Sequence, residues 1–494
     1  MSHIEENNMK NKVILGLIWK LIEKTGAQGI QFIISIILAR LLLPEEYGII
    51  ALITIFLNIA NIFIQSGFSS AIIQKKEVDE VDCDSVFYFN LIISIIAYFI
   101  LYMLSPIISD FYKNPILSSV LRVQSITLII GGLNAIQNAI IQRKMQFKKL
   151  FIVSLVAIII QGLVGIFMAY KNYGVWSLVI SNLVGSIVTT IILWFITSWR
   201  PKLNFSIIRL KSMFKFGSRL LLSSLIDIIY NNLYSLIIGK KYDQEMLAYY
   251  NRGQNIPNIL VTNINSSIDG VLFPALSTYQ DDKKGMKMLV RRSIVTSSFI
   301  VFPIMFGLFA ISKPLTIILL TDKWIDSVPF MKLSCIMYAI WPIHTANLQA
   351  IKAMGRSDVF FKLEVIKKIL GIVIIVITIP FGVYTMMIGC VINSILCTFI
   401  NAYPNKHLLE YDYFQQIKDI LPSLILSIAM SIIISCISIF DLSNFVIILL
   451  QMILGICVYV LGAWIFKFEC FLYIINNIKY YINKSRKSKS NGMI

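Results

Sequence analysis

Two membrane-length segments about 200 residues apart carry matching rows of polar and charged side chains. The first runs Lys20, Lys24, Gln28, Gln31, Ser35; the second runs Arg219, Ser223, Asp227, Asn231, Tyr234. Steps of three and four residues place each set on one side of a helix, within about 80° for the first and about 120° for the second. The remainder of each segment is Ile, Leu, Val and Phe, as lipid contact requires. Ionisable groups are costly in hydrocarbon, so each row is expected to face protein or a watery cavity. One row per half of the chain is the pattern of a transporter built from repeats, with a polar path through the bilayer.

The elements that position these rows follow from composition. The chain has 494 residues, 57% of them hydrophobic and 14% charged, with a mean hydropathy of +0.77. So few charged groups cannot cover the surface of a soluble protein of this size. An all-α polytopic membrane protein is expected. The first apolar run has no small-residue cleavage site after it and is read as a retained helix. The net charge of +18 is spread over short loops, which argues for topogenic charge and against nucleic-acid binding. The seven cysteines form no CxxC pair, so no metal site or disulfide framework is expected. No GxxxxGK[ST] loop occurs, which argues against an ATP-driven mechanism.

Apolar runs long enough for a bilayer core of about 30 Å fall near 15–38, 47–66, 86–106, 117–140, 151–170, 174–198, 214–238, 256–276, 294–320, 329–351, 361–380, 382–403, 420–440 and 444–466. These are about 14 transmembrane helices. With both termini cytoplasmic, 32 of the 44 basic residues lie on the inside and ten on the outside, the remaining two being Lys20 and Lys24. A miscounted span would invert every later loop and blur that ratio, so the even count is supported by the positive-inside rule. The basic end (Lys484, Arg486, Lys487, Lys489) is read as topogenic, with contact to anionic lipid a further role.

The two rows belong to a longer correspondence. Gly16 precedes the first and Gly217 the second, and Leu38-Ala39-Arg40 answers Ile238-Gly239-Lys240. Pro44-Glu45-Glu46-Tyr47-Gly48 then resembles Asp243-Gln244-Glu245 with Tyr249-Tyr250. An even number of spans separates the copies, which gives two pseudo-symmetric six-helix lobes in parallel orientation plus two C-terminal helices. The alternative is chance similarity between short apolar helices. The expected organisation is a cytoplasmic N-terminus 1–12, an N-lobe 13–199, a C-lobe 200–403, two added spans 404–467 and a basic cytoplasmic tail 468–494.

Here the residues resemble a known family. Gly16-x-x-Trp19, then Leu38-Ala39-Arg40-Leu41-Leu42-x-Pro44-x-x-Tyr47-Gly48, then Gly67-Phe68-x-x-Ala71-Ile72-Ile73-Gln74 are similar to the opening of Wzx-type polysaccharide flippases. So are Ile238-Gly239-Lys240 and Ala248-Tyr249-Tyr250-Asn251-Arg252 in the second half. These proteins belong to the multidrug/oligosaccharidyl-lipid/polysaccharide exporter superfamily, and the resemblance is closest to its colanic-acid and teichuronic-acid branch. It implies transfer of an undecaprenyl-diphosphate-linked oligosaccharide across the bacterial inner membrane, by two lobes rocking around a central cavity. Coupling to H⁺ or Na⁺ is implied, with no other cofactor. Partners would be membrane lipid and the polymerase and glycosyltransferases of the same pathway.

Such a cargo needs cations for its diphosphate and a hydrated cavity for its sugars. Lys20, Lys24 and Arg219 are placed to supply the cations at the cytoplasmic side, with interfacial snorkelling as the alternative. Arg40, Arg122 and Arg252 lie near the outer ends and could hold the headgroup there; Lys240 reads better as a loop charge. Gln28, Gln31, Asn58, Asn61, Asn231, Asn263 and Asn265 are the expected polar lining of the cavity. The eighth span is crowded with polar residues between Pro257 and Pro274, and must be buried in protein or face water; a partly unwound helix is the alternative. Asp227 and Asp269 are candidates for ion coupling and Glu23 a third, against simple charge balance. His344 is expected to be a packed or hydrogen-bonded residue. No catalytic residue is expected.

Two rival functions are weighed. A drug or toxin exporter of the same superfamily would favour an acidic and aromatic cavity, whereas the two rows hold three bases and one acid. A membrane polysaccharide polymerase or ligase would carry a substantial outside loop, and no loop exceeds about 20 residues.

Overall fold

The structure is a computed structural model. It describes residues 26–65, 68–75, 77–280 and 282–472, with the side chains of 65, 68, 70 and 212–220 not described. Lys20, Glu23 and Lys24 lie outside the described residues.

Every regular element among the described residues is helical. In chain order they are α1 (Gly26–Leu41), α2 (Pro44–Gln65), α3 (Phe68–Gln74), α4 (Glu80–Tyr112), α5 (Ile116–Gln124), α6 (Ile126–Arg143), α7 (Phe147–Tyr170), α8 (Val175–Ile196) and α9 (Ile207–Lys241). Then follow α10 (Gln244–Ser277), α11 (Lys283–Leu320), α12 (Val328–Ala339), α13 (Trp341–Ala353), α14 (Ser357–Thr378), α15 (Val383–Ala402), α16 (Asn405–Leu408), α17 (Tyr413–Ser435) and α18 (Asn444–Ile465). Eleven of the described helices are long and apolar enough to cross a membrane, counting α5 and α6 as one. With α1, the α12–α13 pair and α14 this agrees with the expected number of about 14.

The boundaries differ from the sequence reading in instructive ways. The fourth span is broken at Ser125, between α5 and α6, and the tenth at Ile340, just ahead of Pro342. Proline cannot supply the amide that would continue the ladder. The third span begins earlier than its apolar run because Asp79 caps it: its carboxylate accepts from the Asp82 amide at 2.8 Å, while the Asp82 side chain accepts from the Asp79 amide at 3.3 Å. That reciprocal cap starts α4 among charged residues. The eighth span is one continuous helix, α10, 34 residues long with Pro257 and Pro274 inside it.

The chain forms two compact units, Met1–Ala248 and Tyr249–Ile494. In the first, α7 packs along α8, α4 along α6, and α9 against α2 and α4. Apolar side chains such as Ile72, Val86, Phe87 and Ile136 fill the space between α3, α4 and α6. In the second, α11 is the central helix and packs on α12, α13, α17 and α18. Its core includes Val301, Phe302 and Met305, with Leu276, Met331 and Ile343 from neighbouring helices. Many of the remaining large apolar side chains, such as Phe195, Ile432 and Trp464, are exposed. On membrane-length helices such faces meet lipid rather than water.

Candidate functional site

The polar faces are best followed helix by helix. On α1, Gln28 and Gln31 are exposed and Ser35 is half-buried, its hydroxyl donating to the Phe32 carbonyl at 2.9 Å. On α9, Ser223, Asp227 and Asn231 are exposed, one turn apart. The Arg219 side chain lies outside the described residues. On α2, Asn58 is exposed and Asn61 half-buried.

Helix α10 holds the densest polar face. Asn258, Thr262, Asn263, Ser266 and Ser267 are all exposed. Thr262 donates to Asn258 Oδ1 at 3.0 Å, Ser266 to the Thr262 carbonyl at 2.7 Å, and Ser267 to the Asn263 carbonyl at 3.1 Å. These bonds to the preceding turn keep the hydroxyls satisfied without unwinding the helix. Asn265 is buried, and neither end of its amide has a partner among the described residues. Asp269, half-buried, accepts from Gln349 Nε2 at 2.7 Å. Exposed amides and hydroxyls at bilayer depth need a watery surface.

The outer-end arginines have different surroundings. Arg40 is exposed at the end of α1. Arg122 is engaged within its own unit: Nε donates to Ser105 Oγ at 2.8 Å and the guanidinium lies 4.4 Å from the Tyr102 ring centre. Arg252 lies over the Trp324 ring at 5.4 Å. The Lys240 ammonium donates to the Phe111 carbonyl and sits over that ring at 3.9 Å.

Several polar assemblies were not foreseen. The first unit contains a cavity of about 470 Å³ between α2, α5, α6, α7 and α8, lined chiefly by amides and hydroxyls. Of its lining, only Asn61 was singled out in the sequence. The lone amides Gln161 and Asn182 in their apolar runs were the available signal. In the second unit, Asn401 Nδ2 donates to His344 Nδ1 at 3.0 Å, which places the ring proton on Nε2, facing Thr398 Oγ1 at 3.0 Å. Thr398 in turn donates to the Ser394 carbonyl at 3.0 Å. His344 is thus a hydrogen-bonded residue of the α13–α15 packing. On α14, the Lys367 ammonium lies 2.6 Å from Glu364 and is 13% exposed. At 1.5 Å per residue it sits about 15 Å into the helix, where a paired cation is far less costly than a lone one.

Two charge clusters lie at helix starts. Asp82, fully buried, meets Lys75 at 2.5 Å and Arg209 at 3.3 Å, while Arg209 also reaches Asp79 at 2.9 Å. The Asp82 backbone amide, with Arg209 nearby, holds the Asp79 carboxyl below its ordinary value of 3.8. Asp84, also buried, accepts from the Lys202 amide at 3.2 Å. In the second unit Arg291 grips Asp419 with two bonds of 2.9 and 3.0 Å, and Tyr411 donates to the same carboxylate at 2.7 Å.

A bundle of membrane-length helices with polar faces is the architecture of a multi-pass membrane protein. Solved structures agree on the fold. The lipid II flippase MurJ, in an inward closed conformation, matches with a TM-score of 0.74 at 18% identity, over 91% of this chain and 98% of that one. An inward-facing multidrug resistance MATE family transporter of the MOP superfamily matches at 0.59 and 15% identity, over 77% and 94%. Among curated relatives, the lipopolysaccharide biosynthesis protein WzxC of Escherichia coli (strain K12) is 24% identical over 422 residues, 84% of this chain and 83% of that protein. The teichuronic acid biosynthesis protein TuaB of Bacillus subtilis (strain 168) is 24% identical over 309 residues, 61% and 63% of the two chains. The family of polysaccharide biosynthesis proteins matches residues 37–329. The chain belongs to that family.

Proposed function

We propose that the chain carries an undecaprenyl-diphosphate-linked oligosaccharide from the cytoplasmic to the outer leaflet of a bacterial inner membrane, for surface polysaccharide synthesis. Both termini are cytoplasmic in this reading, and movement is by alternating access driven by an ion gradient. The observation that carries it is family membership over residues 37–329, joined to exposed polar faces on α9 and α10. A sugar headgroup needs hydrated amides and hydroxyls, and Asn231, Asn258, Thr262 and Asn263 are of that kind.

The diphosphate needs cations. Lys20, Lys24 and Arg219 are assigned to its cytoplasmic entry, Arg40 and Arg252 to its outer position. Arg122 is a weaker candidate because Ser105 and Tyr102 engage it. Asp227, Asp269 and Glu23 are assigned to ion coupling. The three bases of the two rows favour an anionic cargo over the cationic drugs of the alternative reading. Charge reversal tests the assignment: Lys24→Glu and Arg219→Glu abolish polysaccharide export while the protein still reaches the membrane. Wild-type surface polymer in both would remove the anionic-cargo reading.

A further inference from the structure

We infer that the polar cavity inside the first unit is a binding subsite for an uncharged sugar residue of the cargo. The inference rests on the translocation function proposed above and adds to it a place and a chemistry. The cavity lies within one compact unit, between helices that the rest of the unit packs firmly. Its volume, about 470 Å³, falls within the span of about 300–1,000 Å³ typical of small-molecule sites. That leaves room for a sugar ring and some of its water.

Its lining decides the ligand class. Among the described residues that line it there is no Lys, Arg, His, Asp or Glu. A diphosphate would lie there without a cation, and a metal ion or ammonium without a carboxylate, and either would be stranded at high cost. A sugar hydroxyl both donates and accepts, as do the groups that are present. Asn134 Nδ2 donates to Thr190 Oγ1 at 2.7 Å, and Gln161 Nε2 donates to Asn182 Oδ1 at 2.7 Å. These bonds fix the two amide pairs while Asn134 Oδ1 and Asn182 Nδ2 make no bond to a described residue. Gln124 is 6% exposed and its Oε1 has no partner among the described residues. An unpaired buried acceptor costs stability, so its retention in the wall of a cavity points to a donor that arrives with a ligand.

Gly131 supplies the test. A Cβ built there meets nothing closer than Asn61 Oδ1 at 3.9 Å, so a larger side chain enters the cavity rather than the packing. In a helix, leucine is also a better former than glycine. Gly131→Leu therefore occupies the space without opposing the fold. Gln124→Met keeps the shape but removes the unpaired acceptor, which on packing grounds alone stabilises the protein. If the cavity is merely a packing defect, both variants export normally. If it holds a sugar, both lose export although they melt no lower than wild type.

The experiment uses cells lacking the gene and complemented with wild type, Gly131→Leu or Gln124→Met. It measures surface polysaccharide, membrane-bound lipid-linked saccharide, and the melting temperature of each purified protein. The expected result is surface polymer lower by about tenfold in each variant, lipid-linked saccharide accumulating, and melting temperature unchanged or raised. Wild-type export in both variants overturns the subsite and leaves the translocation reading standing. Normal polymer in cells lacking the gene overturns the translocation reading itself. Should Gly131→Leu melt lower than wild type, Gln124→Met decides alone.

Discussion

Gly48 of α2 lies directly against the backbone of Gln244, so that a Cβ at Gly48 would stand 1.8 Å from the Gln244 carbonyl oxygen. The contact joins the two copies of the repeated segment, since Gly48 closes the Pro44–Gly48 run and Gln244 lies in its counterpart, which opens on Asp243. Next to it, a Cβ on Gly239 would meet Leu52 Cδ2 at 2.5 Å. Backbone cannot give way as a flexible side chain can. Gly48→Ala is expected to destabilise the protein by about 3 kcal/mol or more, at the upper end of overpacking costs. Gly270→Ala, where a Cβ meets nothing within 4 Å, gains about 1 kcal/mol from helix propensity. Thermal unfolding of the two purified variants should move in opposite directions.

The Asp82 cluster makes a second prediction. Among the described residues, Arg209→Gln leaves the buried Asp82 with Lys75 as its one cation and takes a cation from Asp79. A loss of about 1–3 kcal/mol is expected. Combining it with Asp82→Asn should cost less than the two losses added, because both act on one network. A fully additive double variant would show that the cluster does not act as a unit.

Acid should weaken the same region. The folded-state value of Asp79 is depressed, so its contribution is present above 3.8 and lost as pH falls through the lower folded value. Asp79→Asn keeps a side-chain oxygen for the cap but cannot titrate. Unfolding measured across the acidic range should show a shallower acid loss in that variant than in wild type. Equal slopes would remove Asp79 from the acid response.

In the second unit, Arg291→Lys replaces a two-pronged grip on Asp419 with a single point charge. Tyr411→Phe removes the third bond to that carboxylate. Because Arg291 is 41% exposed, each change is expected to cost only about 1 kcal/mol, with a combined loss that departs from additivity. Chemical unfolding of the single and double variants measures it.

Asp269→Asn preserves a partner for Gln349 yet removes a charge from α10. If Asp269 takes part in coupling, export in that variant loses its dependence on the ion gradient while the protein melts as before. Gradient dependence identical to wild type removes it from coupling.

How far the sequence could be read depended on periodicity. The row on α9 recurs at helical spacing, the polar residues of α10 crowd into one span, and the repeat around Gly48 returns at an offset near 200 residues, so each was visible in the sequence. The break at Ser125 was missed because no Pro or Gly marks it, and the one at Ile340 because Pro342 sits inside a run that otherwise stays apolar. Gln161 and Asn182 were missed for a different reason: each is a lone amide in its own segment, and only packing brings them to one cavity with Gln124. Lys367 was counted with the loop lysines beside it, since nothing in sequence distinguishes a charge paired inside α14 from one at its edge. Lys20, Lys24 and Arg219 keep the assignments that their spacing suggested, as their side chains lie outside the described residues.

The most direct test of the account places the purified protein in sealed vesicles with an imposed ion gradient and a polyprenyl-diphosphate-linked oligosaccharide labelled in its sugars. Transfer is followed as loss of the label's accessibility to an impermeant glycosidase on the loading side. The account predicts transfer that needs the protein, collapses with the gradient and fails in Arg219→Glu. Transfer at the rate of protein-free vesicles would contradict it.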